Sequence, residues 1–84
     1  MYEYEILYYI VIEPRNEGAF RPVILDYGVY FDKATEIMRD YINDYGLKFK
    51  GKPCHLYIKQ TVTGLPKGYT ILRPHLEPKE IVSV

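Results

Sequence analysis

The stretch PVILDYGVYFDKATEIMRDYINDYG, residues 22–46, changes its hydrophobic period midway. Val23, Leu25, Tyr27 and Val29 alternate with Ile24, Asp26, Gly28 and Tyr30, the two-residue repeat of an extended strand. Beyond Asp32 the repeat lengthens. Ala34, Ile37, Met38, Tyr41, Ile42 and Tyr45 recur at spacings of three and four, one apolar stripe of a helix, with Lys33, Glu36, Arg39, Asp40, Asn43 and Asp44 on the polar side. Asp32 suits the N-cap, because a short side-chain oxygen can accept from an amide of the first turn. Gly46 suits the residue after the last turn, where a left-handed backbone is needed. These bounds predict a helix over about 33–45, with Leu47 closing its end by an apolar contact. Gly28 predicts a bulge or a close backbone approach in the strand before it.

Residues 2–12 alternate in the same way. Tyr2, Tyr4, Ile6, Tyr8, Ile10 and Ile12 form an apolar side that should face the core, and Tyr41 and Tyr45 should pack against its tyrosines. The other side carries Leu7, Tyr9 and Val11 between glutamates, more apolar surface than an open sheet face requires. Residues 14–19 read as a connection, and residues 48–53 as a Lys/Gly/Pro link into a third strand over 55–63. In that strand Leu56, Ile58 and Val62 share a side with Cys54, while His55, Tyr57, Lys59, Thr61 and Thr63 take the other. A turn at 64–68 leads to a short strand over 69–73. Residues 79–84 could add a last edge strand, in this sheet or in that of another subunit.

The order ββαββ(β) predicts a two-layer α+β domain spanning 1–84, one helix on a four- to five-stranded, mainly antiparallel sheet. One helix covers one sheet face, so the other should be exposed or occupied by a partner. A chain of 84 residues buries only about 60–65% of its unfolded surface, so the core is thin.

Composition narrows the function classes. The net charge is zero, but residues 1–47 hold four Lys/Arg against nine Asp/Glu, net −5, and the remainder is +5. Such asymmetry can orient a partner, including a second copy. A single cysteine excludes an internal disulfide framework and favours a reducing compartment. No apolar run approaches the ~20 residues of a membrane span, and Glu3 and Glu5 stand where a signal peptide carries positive charge. The expected location is the cytoplasm, that of a host cell if a virus or mobile element encodes the chain.

The residue types that carry chemistry are sparse. Cys54 and His55 are adjacent, so in an extended segment they point to opposite faces and cannot grip one ion or form a nucleophilic pair. No glycine-rich phosphate loop is present. No catalytic, metal or cofactor residue is therefore assigned, and a small enzyme, whose pocket would have to gather some of Asp26, His55 and His75, is the least favoured reading. His55, Tyr57 and Lys59 on one strand face, with Arg73 nearby, could stack a base and meet phosphates, which makes single-stranded nucleic-acid binding the runner-up. Glu36, Asp40 and Asp44 repeat every four residues on the helix; a basic partner would relieve their mutual repulsion, a second candidate interface.

The favoured reading rests on tyrosine, ten residues in 84. Tyrosine joins a large apolar ring to a polar tip and is enriched where surfaces meet. Leu7, Tyr9, Val11, Tyr27 and Tyr57 are expected on the uncovered sheet face as a protein-contact patch. The chain then reads as a non-enzymatic protein–protein interaction domain, a regulator or inhibitor that occupies a partner surface or forms a homodimer, without a cofactor or small-molecule substrate.

Overall fold

The run LYYIVIEP forms β1 (Leu7–Pro14), the strand around which the domain is organised. Its Ile, Val and Tyr side chains fill both faces of a pleated surface, and Tyr9 to Ile12 are all buried. The structure, a computed structural model, describes residues 6–72. The remaining elements are β2 (Val23–Gly28), α1 (Phe31–Tyr45), β3 (Lys48–Phe49) and β4 (Lys52–Thr61). The sheet order is β2-β1-β4-β3, and all three ladders are antiparallel. The observed fold is thus the one read from the sequence, a single helix on a mainly antiparallel sheet in the order ββαββ.

The strand expected over 55–63 is β4, but its late partner is not the segment expected. The link at 48–53 is a tight hairpin: Lys48 pairs with Pro53 and Phe49 with Lys52. Its two-residue loop has positive φ at both positions, 54° at Lys50 and 77° at Gly51, the pattern of a type I′ turn. The segment at 69–73, expected as a strand, contributes one parallel bridge, Ile24 to Ile71, outside β2. Ile24 donates to the Thr70 carbonyl at 2.9 Å and accepts from the Leu72 amide at 2.8 Å. Tyr2, Tyr4, Arg73, His75 and the edge strand expected over 79–84 lie outside the described residues.

β1 and β2 are joined with a bulge. Tyr9 faces Tyr27 and Val11 faces Ile24, so Leu25 and Asp26 together oppose Ile10. The extra residue inverts the alternation. Leu25 packs with Ile10 on the helix side, whereas Tyr27 joins Tyr9 on the other face, not the Val23/Leu25 side to which strict alternation assigns it. The bulge sits two residues before Gly28, where it was expected. Asp26 is buried within it at 3% exposure, and its Oδ1 accepts from the Tyr27 amide at 2.7 Å.

The helix begins two residues earlier than the capping pattern suggests. Tyr30 occupies the N-cap with extended backbone and no side-chain bond, and Asp32 lies inside the first turn, where its charge favours the helix dipole. Phe31 explains the shift: its ring packs edge-on against Tyr8 of β1 with centroids 5.4 Å apart. Tertiary contact here outweighs a side-chain cap worth ~1 kcal/mol. The C-terminal end follows the sequence, with Gly46 at φ 72° and its amide donating to the Ile42 carbonyl at 2.7 Å.

Two cores result. On the helix side Ile10, Ile12, Val23, Leu25 and Cys54 pack beneath Ala34 and Tyr41, with Leu56 and Ile58 at the margin. Cys54 is the small buried apolar residue its position implied. The second core, on the opposite face, contains Tyr9, Val11 and Ile24 under Tyr27, Tyr57 and Leu65. Fully burying Ile10, Ile12, Ile24 and Leu25 contributes ~1.5–3 kcal/mol each.

Candidate contact surfaces

The second core corrects the expected patch. The chain leaves β4 at Thr61 and next pairs at Ile71, outside β2, so residues 62–70 must cross β1 and β2. They cross on the face without the helix and lay Leu65 over Tyr9, Val11 and Ile24. Tyr9 is 8% and Val11 2% exposed, and Leu7, Tyr27 and Tyr57 are half-buried. One helix leaves a face open, but an irregular strap closes most of it. Tyr9 and Val11 are therefore core residues, not a free surface.

His55, Tyr57 and Lys59 do share that face, with His55 and Lys59 exposed. Their strand runs against β1 so that Glu13 faces His55 and Val11 faces Tyr57. The Tyr57 hydroxyl reaches diagonally to donate to Glu13 Oε2 at 2.5 Å. That bond, then burial, then the Glu13 charge push the Tyr57 phenol up to about 12, with smaller contributions from Tyr69 and Tyr9. Lys59 Nζ stands 6.0 Å from the centre of the Tyr57 ring. The aromatic is thus already engaged by a carboxylate and a cation of its own chain, and it borders the strap. Glu36, Asp40 and Asp44 are all exposed on α1.

Exposed apolar surface instead gathers near the two ends of α1. At the start, Tyr30 is 72% and Phe31 51% exposed beside Val29. At the other end, Tyr45 is 64% exposed and borders an open pocket of about 400 Å³. Its walls come from Leu25, Tyr41, Tyr45, Phe49 and Leu72, and its rim from Lys48, Lys50 and Gly51. The Tyr41 hydroxyl donates to the Lys48 carbonyl at 2.7 Å, which ties the helix to the hairpin. Tyr41 and Tyr45 rings lie 4.9 Å apart, Phe20 packs edge-on Phe49 at 5.0 Å, and Lys50 Nζ stands 5.4 Å from the Phe49 ring centre. Burial, and more weakly Cys54 and Tyr45, push the Tyr41 phenol up. A hydrophobic slot with a cationic lip is the result. Sequence reading missed it, because a lysine at the first loop position is not a type I′ signal and Gly51 alone does not specify a hairpin.

Among the described residues, the chemistry-bearing side chains are kept apart. Cys54 is buried under α1 and burial pushes its thiol up, away from the thiolate, while His55 is exposed on the other face. Asp26 is on β2 and His55 on β4, with β1 between them. Among the described residues, no group of three or more His, Cys, Asp or Glu could hold a metal ion, and no helix is long and apolar enough to cross a membrane. Comparisons with models of known protein families, with curated proteins and with solved structures gave no match to this chain.

Proposed function

We propose that this chain is a non-enzymatic protein-binding domain, a regulator or inhibitor that works by occupying a partner's surface, and that it grips that partner at the slot near the end of α1. The observation that carries the reading is the union of exposed Tyr45 with an apolar cleft and two lysines. A cleft of this chemistry takes a bulky apolar side chain from a segment with Asp, Glu or a terminal carboxylate beside it, because the lysine rim complements that charge. Tyrosine at such a position supplies rigid contact area at low entropic cost.

The test compares wild type with Tyr45→Ala and Lys50→Glu in quantitative affinity capture from host lysate, followed by titration of the recovered partner. Loss of a centrally placed tyrosine costs about 2 kcal/mol, or roughly thirtyfold in affinity. A partner held equally well by both variants would place the contact elsewhere.

A second reading retains one observation in its favour, the alignment of His55, Tyr57 and Lys59 on one face. Binding of a labelled single-stranded oligonucleotide at low salt that collapses with rising salt would support it. Glu13 beside Tyr57 works against it electrostatically.

A further inference from the structure

Among the described residues, the backbone of β4 beyond Cys54 is paired on one side only. Its ladder to β1 runs from Cys54 to Thr61, and Pro53 uses its carbonyl on that side, accepting from the Arg15 amide at 3.2 Å. Cys54 turns its amide the other way, to the Leu47 carbonyl at 3.0 Å. Alternation then directs the amides and carbonyls of Leu56, Ile58 and Gln60 outward. β3 reaches only Lys52 and Pro53, so among the described residues no strand lies against residues 56–60. At one end the open window is closed by Leu47. At the other, the Thr61 hydroxyl donates to the Gly64 carbonyl at 3.0 Å and accepts from the Thr63 amide at 3.2 Å, folding the chain away from the edge.

We propose that this edge joins two copies of the chain, β4 against β4, antiparallel about a twofold axis at Ile58. The occupant follows from the window itself. It is five residues, about 17 Å, and two windows coincide fully only when Ile58 faces Ile58 of the second copy. In that register Leu56 faces Gln60 on the helix side, and Tyr57 faces Lys59 on the other, a cation beside an aromatic ring in both directions. Centring the axis on Lys59 instead opposes two like charges, and centring it on Tyr57 runs one end of each window against Leu47. About six backbone hydrogen bonds form in the Ile58 register, and the exposed Val62 of one copy comes beside the exposed Leu47 of the other. The sheets merge into one continuous sheet with both helices on the same side. This pairing uses a different surface from the slot near the end of α1 and does not rest on what the slot binds.

The interface is small, so the dissociation constant should be on the order of 10–100 µM. Sedimentation across about 5–500 µM, a span chosen to bracket that constant, should carry the apparent mass from 9.9 kDa towards twice that value. Amide exchange read residue by residue should show Leu56, Ile58 and Gln60 slowing at least about tenfold with concentration. Tyr57 and Lys59, already bonded to β1, should be protected throughout. Gln60→Pro removes one outward amide while sparing the β1 ladder, and should return the protein to a monomer with Tyr57 and Lys59 still protected. Lys59→Glu, on an exposed side chain, should weaken pairing about tenfold even if the proline variant fails to fold. A single 9.9 kDa species at the highest concentration would overturn the proposal. So would a dimer that ignores Lys59→Glu and leaves the three outward amides in fast exchange.

Discussion

Replacing Tyr57 with Phe should reveal how much one diagonal hydrogen bond contributes to this sheet. The phenol donates to Glu13 Oε2 at 2.5 Å across the β1–β4 ladder, close to two cross-strand pairs. A hydrogen bond to a charged acceptor is worth ~1.5–3 kcal/mol when shielded, and both groups here are half-buried, so solvent screening places this one near the lower bound. We expect a loss of about 1.5 kcal/mol at pH 7.5, which in a domain of this size lowers Tm by about 6–12 °C. The phenol, pushed up to about 12 in the folded protein, ionises near 10 when unfolded. Folding therefore favours the protonated hydroxyl: the contribution is complete below pH 10 and disappears as pH rises through about 12. Urea unfolding of wild type and Tyr57→Phe at pH 7.5, 9, 10.5 and 12 reads this directly, and the difference between the two cancels the other tyrosines. Glu13→Gln in a double-mutant cycle isolates the pairwise part. A gap under about 0.3 kcal/mol at pH 7.5, within the range of ordinary surface substitutions, would refute the reasoning. A gap that persists undiminished at pH 12 would refute the assigned ionisation.

Two further outcomes follow from the cores. Leu65→Ala should cost about 1–2 kcal/mol in urea unfolding and raise binding of an environment-sensitive hydrophobic dye, because Leu65 is the strap residue over Tyr9, Val11 and Ile24; unchanged dye binding would mean the strap does not cover that face. Cys54→Ser should cost about 1–3 kcal/mol by placing a hydroxyl in an apolar core, and the native thiol should resist alkylation at pH 8 until the protein is unfolded.

Local periodicity carried most of the fold. The change of period within residues 22–46 located β2 and α1, and the alternation of Cys54, Leu56 and Ile58 placed β4 under the helix. Three features depended on forces that periodicity does not encode. The bulge at Leu25 and Asp26 put Leu25 and Tyr27 on opposite faces, where strict alternation would have kept them together. Phe31 entered the helix because Tyr8 lies beneath it, a contact between residues 23 positions apart. Above all, the path of an irregular connection decided which face was covered. Tyr9 and Val11 had the composition of a contact patch and became a core because Leu65 passes over them. The slot, likewise, assembles Leu25, Tyr45, Phe49 and Leu72 from four separate segments, and no short window of sequence contains it.

The strap also sets an order of events during synthesis. When the first 61 residues have left the ribosome, β1, β2, the helix and β4 can dock, and the helix-side core can close. Tyr9, Val11 and Ile24 must then wait, with Ile24 presenting an unpaired edge, until Thr70 and Leu72 emerge to bond it. At ~5–20 residues per second that interval lasts about a second. During it the nascent chain carries the apolar face and open strand edge that invite wrong pairing. Variants that weaken the strap should therefore lose soluble yield out of proportion to their loss of equilibrium stability, since their most vulnerable moment comes before folding is complete.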